Sequence, residues 1–211
     1  TPPTTTDVVT GVSPSPTSLS SIYDVTISGV DIPNFNGIVG LDFSGTVTIQ
    51  DSVGTFLTAP ASEPTTDETY TVDNTSPTVT VNQSAGQADP ASVTPVNFTV
   101  VFSEAINVST FTTGDITQTG TITSSLITWS ITDSGDHTTF SLSAIAVAGN
   151  NGTLSPLIDA NKVTDVAGNS NTVASFTDNE VTFNDNVPPT ITVNQAVGQV
   201  DPTSTLPINF S

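Results

Sequence analysis

Hydrophobic and polar positions along this chain alternate with a period of two over short runs, and no run follows the period of a helix. The clearest is 96–102, where Val96, Phe98, Val100 and Phe102 fall on one face and Asn97, Thr99 and Val101 on the other. Ile127, Trp129 and Ile131 repeat the pattern within 126–132, as do Phe140, Leu142 and Ala144, the stretch from Val173 to Phe176, and Val181 with Phe183. Earlier in the chain, 23–28, 38–43, 46–50 and 70–72 read as strands, and 78–82 reads as a short strand after a linker. Residues 1–21 are rich in Pro, Ser and Thr and read as loop or extended chain. Gly and Pro (14 and 15 residues) punctuate runs rich in Thr, Val, Ile and Phe, the composition of an all-β protein.

A long repeat is laid over this pattern. The stretch 73–90 returns 112 positions later at 185–202, and Pro95-Val96-Asn97-Phe98-Thr99 returns with the same offset as Pro207-Ile208-Asn209-Phe210-Ser211. A period of this length marks a tandem array whose unit is a whole small domain. Residues 77–188 form one complete repeat, 1–76 the later portion of another, and 189–211 the first two strands of a third. Roughly seven short strands per repeat of about 110 residues predict tandem immunoglobulin-like β-sandwiches, with Trp129 as a core residue. Two readings of the part-repeats stand side by side: a piece of a longer array, or a chain whose 189–211 tail completes the 1–76 head of a neighbour by strand addition.

Charge narrows the function classes. Asp and Glu number 20 against a single basic residue, Lys162, for a formal charge of −19. Phosphate neutralisation by Lys and Arg is out of reach, so nucleic acid is excluded as a partner, and an anionic membrane surface with it. No apolar run approaches the roughly 20 residues of a membrane span. Carboxylates attract cations, and Ca²⁺ is the natural candidate. With no cysteine, a small exported domain needs another staple, and bound metal is one.

In a sandwich, the direction of each strand decides which loops share a pole. The strand at 78–82 starts at the upper pole, 96–102 returns there, and the loop before the last strand lies there too. Asp73, Asn74, Glu104, Asp165 and Asn169 are therefore expected to meet at the leading junction of the complete repeat. By the same logic Asp89, Asp185 and Asn186 are expected at the trailing junction, with Gln87 as a carbonyl donor. Carboxylates mixed with amide carbonyls are the hard-oxygen set that Ca²⁺ takes. The competing reading is turn chemistry, for which Asp, Asn and Gly are also favoured. The turn 51–55 corresponds loosely to 165–169 but lacks its Asn.

His137 lies in a hydrophilic turn with no nucleophile elbow or oxyanion site around it, so no catalytic residue is assigned and the chain is not expected to be an enzyme. Six Asn-X-Ser/Thr sequons (Asn74, Asn82, Asn97, Asn107, Asn151 and Asn209) match the number that so Asn- and Thr-rich a chain gives by chance.

At 97–106, at Thr164-Asp165-Val166-Ala167-Gly168-Asn169 and at Asp185-Asn186-Val187-Pro188-Pro189, the sequence resembles bacterial Ig-like tandem repeats, which build the stalks of large surface adhesins. The likeness covers the middle repeat fully and the flanking pieces in part. It implies an extracellular or cell-surface structural segment, Ca²⁺ between domains, and like domains of the same chain or neighbouring subunits as partners. A glycan or receptor would be engaged by another part of the chain. A glycan- or receptor-binding module is the alternative. Asn184-Asp185-Asn186-Val187-Pro188 also looks like the inter-domain calcium linker of cadherins, although the rest of the cadherin pattern is absent.

Overall fold

The computed structural model describes residues 8–15, 20, 22–29, 31–41, 49–56, 69–146, 150–185, 188 and 190–211. Twelve strands occur among them: β1 (Val8–Ser13), β2 (Asp24–Ser28), β3 (Gly37–Val39), β4 (Tyr70–Val72), β5 (Val79–Gln83), β6 (Val96–Phe102), β7 (Ile116–Gln118), β8 (Ile127–Asp133), β9 (Thr139–Ala146), β10 (Asn151–Leu154), β11 (Pro156–Ile158) and β12 (Val181–Asn184). The helical pieces among the described residues are 3₁₀ turns of three residues. The fold is all-β.

The complete repeat is built on a four-stranded antiparallel sheet in the order β5-β6-β9-β8. Opposite it lie two short pairs, β7 with β11 and β10 with β12. The alternation in the sequence is the reason for this layering. Side chains of a strand point to opposite faces in turn, so Val96, Phe98, Val100 and Phe102 all enter the same interior. They meet Phe140, Leu142 and Ala144 of β9 and, from the other layer, Leu154, Ile158, Val181 and Phe183. Phe102, Phe111 and Phe140 pack edge to face, with centroids 5.2–5.8 Å apart. One core between two layers is consistent with a β-sandwich.

Several expectations are corrected. Residues 8–13, read as loop, form β1, because Val8, Val9 and Val12 find a partner strand in β2. Trp129 is only half-buried: β8 is the edge strand of its sheet, so its inward residues are covered on one side, and Trp129 leans on Phe98 at 6.2 Å. In 173–176 the buried residue is Ala174, with Val173 and Phe176 exposed, since the segment touches β5 through one parallel bridge, Thr80 with Ser175. Of 38–43 and 46–50, the described residues hold β3 and a bridge from Gln50 to Phe56; 42–48 lie outside them. The two strands expected in 189–211 are represented among the described residues 190–211 by one bridge, Gln195 with Phe210. β7, β10 and β11 carry too few alternating positions to stand out in the sequence.

The repeat period nevertheless returns in the structure. Gln83 Nε2 donates to the Gln87 carbonyl at 2.8 Å, and 112 positions on Gln195 Nε2 donates to Gln199 at 2.7 Å. The Gln87 side-chain oxygen accepts the Asn97 N–H at 2.7 Å, and that of Gln199 accepts the Asn209 N–H at 3.1 Å. Gly86 and Gly198 take φ of +80° and +84° in the same turn position, a conformation that favours glycine. The segment 194–211 is thus a second copy of the turn-and-pair unit formed by 82–99.

Candidate metal centre at the leading junction

Three of the expected carboxylates converge. One oxygen each of Asp73, Glu104 and Asp165 lies within 4.8 Å of the others. Asp73 follows β4 and caps its own linker, its Oδ1 accepting the Thr75 N–H at 2.9 Å. Glu104 follows the end of β6, where the Ser103 N–H donates to the Thr78 carbonyl at 2.9 Å and holds the chain beside the linker. Asp165 is brought in by an antiparallel bridge with Ile106 and by the Asn107 N–H, which donates to Thr164.

Asp165 is almost fully buried, at 2 % exposure, and its own loop satisfies it. Its Oδ1 accepts the N–H groups of Gly168 and Asn169 at 2.6 and 2.8 Å, while Oδ2 accepts Asn169 Nδ2 at 2.8 Å. The same Nδ2 donates to the Asp73 backbone carbonyl at 3.0 Å. Asn169, expected from the sequence as a metal ligand at this junction, thus ties the linker to the loop through its amide N–H₂. Beneath the loop, Asn171 is a buried staple that sequence reading missed. Its Oδ1 accepts the Lys162 and Val163 N–H groups, both at 2.8 Å, and its Nδ2 donates to the Asp159 and Thr172 carbonyls at 3.0 and 2.6 Å. A lone Asn in a polar loop gives no periodic signal.

The carboxyl of Glu104 is held above its ordinary value, first by burial, then by the negative charges of Asp73 and Asp165, and by a hydrogen bond with Asp73. A proton shared with Asp73 is one way to relieve the repulsion; a cation is another. The trio offers hard carboxylate oxygens of the type Ca²⁺ takes, though three carboxylates fall short of its six to eight ligands and acidic groups also cluster in this way without an ion. Ligand oxygens at 2.3–2.6 Å from that ion stand at most about 5 Å apart across the coordination sphere, and a carboxylate keeps lone pairs beyond those given to N–H donors.

Asn74 does not join this group. Its Nδ2 donates to the Ile32 and Phe35 carbonyls at 3.0 and 2.7 Å, and its N–H to Asn36 Oδ1 at 2.6 Å, so it faces the preceding segment. Of the trailing set, the described residues place Asp89 and Asp185 at different points along β12. Asp89 Oδ1 accepts the Thr182 N–H at 2.9 Å, at the start of β12, and Asp185 follows the end of that strand with its N–H on Asn151 Oδ1 at 2.8 Å. The parallel bridge of Ala91 with Phe183 fixes that register, leaving Asp89 and Asp185 three residues, about 10 Å, apart along β12. Gln87 spends its side-chain oxygen on Asn97, and Asn186 lies outside the described residues.

In the turn 51–55 the Asp51 carboxylate accepts the Val53 and Thr55 N–H groups, both at 2.9 Å, and these bonds hold it below its ordinary range. This is the 165–169 turn without the Asn amide. His137, in the β8–β9 turn, is exposed and places Nδ1 2.5 Å from Asp133 Oδ2.

No family model matches the chain, and no curated protein matches it. Among solved structures it is similar to the N-terminal part of the bacterial S-layer protein SbsC, at 16% identity and a TM-score of 0.36, over 57% of this chain and 26% of that one.

Proposed function

We propose that this chain is a structural segment of an extracellular fibre, surface filament or adhesin stalk, made of tandem immunoglobulin-like sandwiches and stiffened by Ca²⁺ at a domain junction. The observation that carries the reading is the position of the carboxylate trio. Asp73 belongs to the linker, whereas Glu104 and Asp165 belong to the sandwich that follows it, so an ion held by all three would lock the angle between linker and domain. The 112-residue recurrence of the turn-and-pair unit supports the tandem character.

In this reading Asp73, Glu104 and Asp165 hold the ion, which supplies the positive charge that the chain itself lacks at this place. Asn169 positions two of the ligands by bonding both the Asp73 carbonyl and Asp165. Three carboxylates, two of them half-exposed, make a weak site of the kind found in extracellular modules, which fill at about 10⁻⁴–10⁻³ M Ca²⁺. Such a site is loaded outside the cell and empty in a cytosol, which agrees with a cell-surface location.

The test is small-angle X-ray scattering of the 211-residue chain in EDTA and then in millimolar Ca²⁺. The reading expects a longer maximum dimension and a narrower distance distribution with Ca²⁺, and no such change in Asp165→Asn. Identical curves for the native chain under both conditions would remove the clamp.

A further inference from the structure

Among the described residues, the four-stranded sheet of the complete repeat has one closed edge and one open edge. At β5 the segment 172–178 lies alongside: the Val81 N–H donates to the Ser175 carbonyl at 3.0 Å, the Ser175 N–H to Val79 at 2.9 Å and the Gln83 N–H to Asp178 at 2.6 Å. β8 has no such cover. It pairs with β9 alone, and the 3₁₀ turn 113–115 lies beside it without bonding its backbone. The Ser134 N–H donates to the Thr139 carbonyl at 3.0 Å, which fixes the alternation of this hairpin. Thr128, Ser130 and Thr132 turn their N–H and C=O groups to β9, and Ile127, Trp129, Ile131 and Asp133 turn theirs to the open side.

Open edges are ordinarily guarded by Pro, Lys, a bulge or a very short strand. β8 carries none of these: it runs for seven residues, Ile-Thr-Trp-Ser-Ile-Thr-Asp, in unbroken register with β9. No charged residue stands between Asp115 and Asp133, and the outward-facing Thr128, Ser130, Thr132, Ser141 and Ser143 are neutral. In a chain of charge −19, two copies can therefore meet along this edge without opposing carboxylates. The strand is also its own complement. Turned antiparallel about a two-fold axis at Ser130, it sets Ile127 opposite Asp133, Trp129 opposite Ile131 and Thr128 opposite Thr132 of the other copy. This register matches all four outward-turned residues with outward-turned ones, each pair exchanging two hydrogen bonds. Trp129, half-buried in the single chain, gains a β-branched cross-strand neighbour, a favoured pairing. The two Asp133 residues fall about 20 Å apart along the strands, beyond the screening length in physiological salt.

We infer that β8 is a self-association edge: two copies of this chain join β8 to β8 antiparallel, making one continuous eight-stranded sheet across a two-fold axis. In a fibre or filament, this contact ties neighbouring copies side by side. It rests on sheet order and hydrogen-bond direction, and it depends neither on the calcium clamp nor on the tandem-repeat reading. One strand pair is a small interface, short of the roughly 1,200 Å² of a stable complex, so the association is weak. The charge of −19 on each copy opposes it, so pairing strengthens with ionic strength.

Light scattering of the full chain in EDTA and high salt should show a mass rising with concentration from 21.6 kDa toward twice that value. Ser130→Lys puts like charges opposite each other on the axis and should abolish the rise, although it lowers the net negative charge. A rise that persists or grows in this variant would overturn the inference, because general charge and not this edge would then govern association. The chain has no cysteine, so the register is tested by oxidation. Ser130→Cys faces its counterpart in a non-hydrogen-bonded pair, with Cα atoms about 4.5 Å apart and within disulfide reach, and should yield a covalent dimer. Thr132→Cys, also exposed, lies about 13 Å from its counterpart and should stay monomeric. Both side chains point away from the core, so Trp129 fluorescence should show the repeat still folded in every variant. A native chain that remains monomeric up to about 1 mM, or equal cross-linking of the two cysteine variants, would overturn the inference. Because EDTA is present throughout, a failed clamp leaves this result unaffected.

Discussion

Replacing Glu104 by Gln tests the electrostatics of the junction without removing side-chain volume. Glu104 faces Asp73 and Asp165, with ligand oxygens within 4.8 Å. At that distance two like charges repel by about 1 kcal/mol in water and by about 3.5 kcal/mol at an effective dielectric of 20. Glu104 is half-exposed, so the lower end of that range applies to each pair. The Gln amide can still donate to Asp73, as a protonated Glu104 would. Without metal at pH 7, Glu104→Gln should therefore stabilise the complete repeat by about 1–2 kcal/mol, or about 4–8 °C in Tm for a domain of this size.

The gain must depend on pH in a defined direction. The Glu104 carboxyl is raised above its ordinary value of 4.5, so the folded state holds this proton more tightly than the unfolded state. Stability from this group is full below pH 4.5, falls as pH rises through the folded value, and stays low above it. The advantage of Glu104→Gln should thus appear above that window and vanish near pH 4. Asp51, Asp133 and Asp136 are lowered by N–H donors and contribute the opposite slope, and they are common to both proteins, so the difference between the two isolates Glu104. Trp129 is the chain's one tryptophan and packs on Phe98 in the core, so its fluorescence reports unfolding of this repeat. Glu180→Gln, on an exposed residue, controls for general relief of negative charge. An unchanged or lower Tm for Glu104→Gln at pH 7 in EDTA, or a gain that persists at pH 4, would refute the reasoning.

Three further outcomes follow from the packing. Asn171→Ala leaves the Val163 N–H, in a fully buried residue, without its acceptor and should cost about 2–3 kcal/mol, read as a lower urea midpoint at unchanged slope. Phe98→Ala empties the centre of the core and should cost about 3–5 kcal/mol in the same assay, while the smaller change Phe98→Leu costs less. Gly120→Ala places a methyl group 2.2 Å from the Thr153 carbonyl oxygen, forcing the 118–122 and 151–155 segments apart, and should destabilise by about 1–3 kcal/mol; a neutral result would mean that this pairing yields freely.

How much of this was legible in the sequence depends on the kind of signal. The face of β6 was readable because its four inward residues repeat at period two and a sheet has no other way to bury them. The convergence of Asp73, Glu104, Asp165 and Asn169 was readable because strand direction alone assigns loops to poles. The failures come from finer causes. Asn74 and Asp73 are adjacent in the linker, yet their side chains go to opposite sides, and pole-level reasoning cannot separate neighbours. Asp89 and Asp185 were assigned to one pole, but the parallel register of Ala91 with Phe183 sets them at opposite ends of β12. Trp129 has the right periodicity for a core residue and lies half-exposed because β8 is an edge strand, which is a property of sheet order. Asn171 carries a buried four-bond network without any pattern to announce it.

The central claim is that the trio is a calcium clamp between linker and sandwich, and thermal unfolding of the full chain under a Ca²⁺ titration tests it most directly. Ligand binding to the folded state alone adds about 0.4 kcal/mol when free Ca²⁺ equals Kd and about 1.4 kcal/mol at a tenfold excess, the range millimolar Ca²⁺ reaches at a site of this class, so the Tm followed at Trp129 should rise from its EDTA value along a saturating curve. The rise should be lost in Asp165→Asn, and in Glu104→Gln it should be weakened even though that variant begins from a higher metal-free Tm. A flat titration to millimolar Ca²⁺, or a rise of equal size in both variants, would contradict the claim and return Asp73, Glu104 and Asp165 to turn chemistry.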